Sequence, residues 1–194
     1  MPALREALAR ATDPHQFDLR PTGPGSILDV GCGSAKHPGA TGLDISADTD
    51  ADVVHDLDVF PYPIADGSFD QILLQDVIEH VAQPIRVFEE LHRIARPGAL
   101  LLLSVLGGVS AVRGGMADRV VAPTDGAGFT DAGRNADIDL VTPASEYYRN
   151  VFHLPAYVTS VWGKYFEILS IEEAVIGNTQ DLVVARKPLA PPSR

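Results

Sequence analysis

One stretch, Ser26 to Ser46, constrains the fold of this chain more than any other. SILDVGCGSAKHPGATGLDIS reads as a strand, a glycine loop and a second strand that ends on an acid. Ile27, Leu28 and Val30 form a short, nearly continuous apolar run, the pattern of a central parallel strand buried on both faces. Gly31 and Gly33 let the backbone turn sharply and lie directly against a ligand, because neither carries a Cβ. Leu43 closes the next apolar run, and Asp44 follows where a carboxylate can accept hydrogen bonds from a ribose diol. The pattern points to a nucleoside site at the edge of an α/β sheet.

What is missing narrows the nucleoside. A dinucleotide fingerprint needs a third glycine three residues after Gly33, where Lys36 stands, and its acid lies about 20 residues further on. Asp44 comes much sooner. The connection from Ser34 to Thr41 contains Pro38 and Gly39, and is too short and broken for the full helix whose N-terminus binds a pyrophosphate. A ligand without phosphates, such as S-adenosylmethionine, fits better, and a nicotinamide-dependent oxidoreductase fits worse.

LDVGCGSAKHPGATGLDIS resembles the first two motifs of class I S-adenosylmethionine-dependent methyltransferases. VVHDLDVFPYPIADGSFDQILLQDVIEHV and RPGALLLLSV resemble the motifs that follow, so the likeness runs from about Ser26 to Val105. It implies a Rossmann-like doubly wound α/β sheet, mostly parallel with an antiparallel C-terminal strand pair, in the order 3-2-1-4-5-7-6. It also implies cofactor contacts from Asp29, Gly31, Cys32, Gly33, Asp44, Ile45, Asp56, Leu57 and Gln75. In the family the acid at Asp56 receives the exocyclic amine of adenine while the next backbone N–H, at Leu57, meets a ring nitrogen. That pairing suits an edge with one donor beside one acceptor. Ala35, where many members have a third glycine, and the curtailed first connection depart from the pattern at the methionine end of the site.

The 194 residues suggest one domain, with 107–153 as an acceptor-binding cap carrying a short helix or two and 188–194 as a loose tail. A hydrophobic fraction of 45% and a charged fraction of 21% are those of a globular protein. The net charge of -11 disfavours a nucleic-acid substrate and an anionic membrane surface, both of which call for clustered Lys and Arg. A single cysteine, Cys32, excludes an intrachain disulfide and a thiolate metal cluster, and its place between two glycines suits a small packed residue. The charged N-terminus lacks the apolar core of a secretory signal, and no apolar run approaches the roughly 20 residues that span a bilayer. A cytoplasmic protein is expected, with homodimerisation left open. Leu4, Leu8 and Ala11 recur at helical spacing, ahead of a linker in which His15 and Phe17 are placed to fold over the cofactor.

The acceptor chemistry is sought after the strand Gln71 to Gln75. Asp76, Glu79 and His80 share one face if the segment is helical, and three side chains so placed can share an ion. D-x-x-E-H resembles the E-x-x-E-H of the ubiquinone-biosynthetic O-methyltransferases, which implies a site for magnesium or manganese at these three residues. The competing reading is metal-free, with His80 or Asp76 handling a proton. Further on, EYYRNVFHLP brings Tyr147, Tyr148 and Phe152 as a pocket wall and His153 as a second candidate base. FEILSIEEAVI and DLVVARK read as two strands joined by GNTQ. The expected activity is transfer of a methyl group to a hydroxyl of a small molecule such as a sugar or natural product, because a hydroxyl needs a base or a metal and an amine does not. Small-molecule N-methylation and non-catalytic cofactor binding beside a partner protein remain the alternatives.

Overall fold

The computed structural model describes residues 26–115, 128–134 and 149–189. Strands β1 (Ile27–Val30), β2 (Thr41–Asp44), β3 (Val53–Val54), β4 (Phe69–Leu74) and β5 (Ala95–Leu106) pair in parallel in the order β3-β2-β1-β4-β5. Their apolar runs are buried as a two-sided core requires: Leu28, Val30, Leu43, Ile72, Leu74, Leu101 and Val105 are fully enclosed. The chain walks outward from β1 to β3 and then crosses to the other side of β1. That reversal opens a crevice at the carboxyl ends of β1 and β4, the usual ligand edge of such sheets.

Helix α1 (Pro84–Ile94) has proline in its first turn and buries Val87, Phe88, Leu91 and Ile94 against the sheet. Both oxygens of the Asp58 carboxylate accept backbone N–H groups where the chain enters it, from Ala82 at 2.9 Å and Gln83 at 2.8 Å. The proline-rich loop before β4 is fastened to α1 by Arg93, which reaches Asp66 at 2.6 Å, Glu90 at 2.7 Å and the carbonyls of Tyr62 and Ile64. Helix α2 (Gly108–Arg113) follows β5, and α3 (Pro155–Val161) runs into a single 3-10 turn, Trp162–Lys164.

The C-terminal strands β8 (Glu167–Ile176) and β9 (Gln180–Arg186) form the expected antiparallel pair, and β9 lies antiparallel to β5. The path through the nine strands of the described residues is β3-β2-β1-β4-β5-β7-β6, with β8 and β9 off it. Two of these strands fall inside the segment read as a cap of short helices: β6 (Phe129–Arg134) and β7 (Arg149–His153) pair antiparallel. Leu106 pairs with Gln180 of β9 on one edge and with Phe152 of β7 on the other, so β7 takes the edge that β4, whose last partner is Leu103, has left. The hairpin therefore stands over the carboxyl end of the sheet. Tyr147, Tyr148, His15, Phe17 and the helix expected near the N-terminus lie outside the described residues. No helix among the described residues is long and apolar enough to cross a membrane.

Candidate active site

A cavity of about 130 Å³ opens at the carboxyl ends of β1, β2, β3 and β4. Gly31, Asp44, Ile45 and Leu57 line one side, and Asp76, Val77, His80 and Val81 the other. Gly31 cannot be replaced without rearrangement, because its φ is +67° and a Cβ there would sit 2.4 Å from Cγ2 of Val77. Its N–H donates to the Leu43 carbonyl at 2.7 Å, which locks the loop onto β2. Asp44 accepts the N–H of Gly33 at 2.9 Å through one carboxylate oxygen and that of Ser46 at 2.9 Å through the other. A carboxylate offers about four lone-pair sites, so two remain for a diol. Ile45 is 51% exposed and presents a flat apolar face to the cavity.

Other expected cofactor residues support the loop instead of lining the cavity. Asp29, half-buried, accepts the His37 N–H at 2.7 Å, and burial raises its carboxyl above the usual range. Cys32 packs inside. Burial, reinforced by the carboxylates of Asp29 and Asp44, pushes its thiol up to about 11, so it is no nucleophile near neutral pH. Asp56 shapes its own turn by accepting the Asp58 N–H at 2.9 Å, next to Leu57 at the cavity wall. Gln75 is half-buried between β4 and the cavity.

Residues 76–80 lack the helical geometry that would put Asp76, Glu79 and His80 on one face: the chain turns instead, with Asp76 at φ +55° and the His80 N–H bonded to the Val77 carbonyl at 2.9 Å. Asp76 tolerates this left-handed conformation better than most residues, and its N–H is held by the hydroxyl of the fully buried Ser104 at 2.8 Å. This geometry does not bring the three side chains of the expected metal site together. No three His, Cys, Asp or Glu side chains among the described residues converge as a ligand set. Glu79 turns inward and is buried, while His80 faces the cavity. The amide of Gln180 lies between the carboxylates, donating to Asp76 and, at 3.4 Å, to Glu79. Burial first, and the Asp76 charge after it, push the Glu79 carboxyl up to about 8, so it is protonated at neutral pH.

His153 is likewise corrected. It is fully buried, its ring 5.0 Å from Trp162, 5.4 Å from Phe129 and 5.7 Å from Tyr157, and it lines neither cavity described here. Neither ring nitrogen has a hydrogen-bond partner among the described residues, and burial pushes the imidazole down to about 3. It is a neutral core residue.

A second cavity, of about 270 Å³, lies between the segment after β4 and the β6–β7 hairpin. Ile78, Val81, Ala82 and Pro84 form one wall and Phe129, Asp131 and Val151 the other. Val81 belongs to both cavities, so the two adjoin. Val77, Val81, Gln180, Phe129, Asp131 and Val151 were not singled out from sequence as site residues. Apolar residues at these positions look like any core residue, and Gln180 arrives only through the register of β9 on β5.

A family model described as a methyltransferase domain matches residues 28–103, the stretch that builds β1 to β5 and the first cavity. Residues 28–103 are thus similar to a methyltransferase domain. The chain is 57% identical over 42 residues to a protein of Mycolicibacterium gilvum named as an uncharacterized methyltransferase. That segment is 22% of this chain and only 16% of the relative's length. A crystal structure of an S-adenosylmethionine-dependent methyltransferase from Mesorhizobium loti aligns over 96% of both chains, with a TM-score of 0.60 and 18% identity. A [4+2]-cyclase, SpnF, aligns over 87% of this chain and 76% of its own, with a TM-score of 0.53 and 18% identity. The chain thus shares its fold with proteins whose names carry different chemistries.

Proposed function

We propose that this protein transfers a methyl group from S-adenosylmethionine to a hydroxyl of a small molecule. The carrying observation is one cavity in which a ribose-type acid, Asp44, a glycine with no room for a Cβ, Gly31, and an imidazole, His80, face the same space. The cavity chemistry fits the cofactor: a carboxylate for the diol, the Ile45 face and the Leu57 backbone for a flat base, and acidic surroundings for a sulfonium cation. S-adenosylmethionine supplies the methyl, as a carbon–oxygen bond forms, the carbon–sulfur bond breaks and the electron pair stays on sulfur. The chain orients and deprotonates. Asp44 and Gly31 hold the nucleoside, and alignment of the acceptor oxygen contributes much of the rate. His80 takes the hydroxyl proton, which is why a hydroxyl is favoured over an amine. Asp76, held by Gln180 and Ser104, sets the shape of the turn that carries His80.

The test is calorimetric titration with S-adenosylhomocysteine, followed by methyl transfer from S-adenosylmethionine to a panel of phenols and amines. Micromolar binding and methyl ether products are expected, with His80→Ala lowering turnover while leaving product binding in place. Absence of binding would overturn the reading. Binding without any transfer would favour the non-catalytic role, or chemistry of another kind on the same fold.

A further inference from the structure

The second cavity is mostly apolar. Among the described residues that line it only Asp131 is polar, and Phe129 is fixed in place by ring contacts with Tyr157 at 5.2 Å and His153 at 5.4 Å. One nearby backbone donor is already committed: the Ala82 N–H donates to Asp58 at 2.9 Å. A cavity of about 150 Å³ accommodates a benzene ring. One of about 270 Å³ has space for roughly two fused rings.

We propose that the methyl acceptor is an uncharged, predominantly apolar hydroxylated molecule about two fused rings in size, lying in this cavity with its hydroxyl toward His80 and its far end toward Asp131. This rests on the methyl-transfer reading above, and narrows it. A sugar brings a hydroxyl on nearly every carbon, and each one buried here without a partner costs about 1–3 kcal/mol. An arenecarboxylate meets the Asp131 carboxylate inside a chain of net charge -11. The hydroxyl must reach the imidazole of His80 in the first cavity, and Val81, shared by both, marks where the ring body passes from one to the other. Asp131 accepts the Gly133 N–H at 2.8 Å, which holds its carboxylate at the hairpin.

The full chain, with and without S-adenosylhomocysteine, is titrated with 2-naphthol, 2-naphthoate and methyl glucoside. Two variants accompany it. Ala82→Trp fills the cavity from an exposed position, and Asp131→Asn removes the charge at an exposed one while keeping an oxygen for Gly133. The expected result is 2-naphthol binding at least tenfold tighter than the other two compounds. Ala82→Trp should then weaken 2-naphthol at least tenfold with S-adenosylhomocysteine affinity within twofold, and Asp131→Asn should strengthen 2-naphthoate at least threefold. Equal or tighter binding of the glucoside or naphthoate overturns the acceptor class and leaves the cofactor site standing. So does 2-naphthol binding that neither variant changes. Loss of S-adenosylhomocysteine binding in the unmodified chain overturns the methyl-transfer reading, and the acceptor assignment falls with it.

Discussion

Asp44 has two tasks, and they separate by substitution. Its carboxylate fastens the glycine loop through Gly33 and its own turn through Ser46, both at 2.9 Å, and it faces the cavity where the ribose is placed. Asp44→Asn keeps an acceptor but loses the charge, whereas Asp44→Ala loses both. Hydrogen bonds to a charged group are each worth about 1.5–3 kcal/mol. Asp44→Ala should therefore weaken S-adenosylhomocysteine by roughly 10- to 100-fold in titration, with Asp44→Asn between it and the parent. His153 behaves oppositely. Two orphan ring nitrogens in an aromatic cluster are a burden on the fold, so His153→Phe should raise stability by about 1–3 kcal/mol in urea unfolding and leave methyl transfer intact. Loss of transfer in a stable His153→Phe protein would restore it as a base.

Between elements, the seam of β5, α2 and β9 is decided by one missing side chain. A Cβ on Gly107 would lie 1.8 Å from a carboxylate oxygen of the buried Asp181, whose other oxygen accepts the Ala174 N–H at 2.9 Å. The backbone of Gly107 is extended, at φ -99° and ψ -160°, so the demand is steric and not conformational. Gly107→Ala should cost about 1–3 kcal/mol as overpacking. Adding Asp181→Ala, itself destabilising, should make the pair less costly than the sum of the two single changes, which a double-mutant cycle by thermal unfolding measures. Simple additivity would show that the seam gives way elsewhere. The β6–β7 hairpin is held to the rest differently, by the Leu106–Phe152 pairing and by Phe152 packed near Ala111 of α2.

For the molecule as a whole, two buried groups set opposite pH slopes. Glu79 is raised from 4.5 to about 8, so the native state holds its proton more tightly than the unfolded chain. The stability it contributes is fully present below 4.5 and is lost as pH rises through 8. His153 is lowered from 6.5 to about 3, so its contribution is present above 6.5 and is lost as pH falls through 3. Stability should therefore peak between about 4.5 and 6.5, where the slopes oppose. Between pH 6.5 and 8 only the Glu79 slope remains of the two, and urea midpoints should fall across that window. Glu79→Gln should flatten the fall. An unchanged slope in that variant would place the titrating group elsewhere.

The meeting of Gly31 and Asp44 at one cavity was legible in the sequence because it is local. Ile27 to Val30, Gly31 and Asp44 lie within eighteen residues of chain, and two short parallel strands oblige the glycine and the acid to share one edge. The C-terminal strand pair was legible too, since its apolar runs flank a turn of three residues, Gly177 to Thr179. The geometry of residues 76–80 was not legible, because spacing alone cannot reveal that Ser104, twenty-eight positions away, holds the Asp76 N–H and that Gln180 comes between the two carboxylates. His153 looked catalytic for the same reason: an imidazole beside aromatic residues reads alike whether it faces a ligand or a dry core. Tertiary structure alone decided that Phe129, Asp131 and Val151 face Ile78 and Val81 across a cavity. That contact depends on β7 taking the edge of β5 beyond the end of β4, and strand pairing over such a separation leaves no periodicity in the chain.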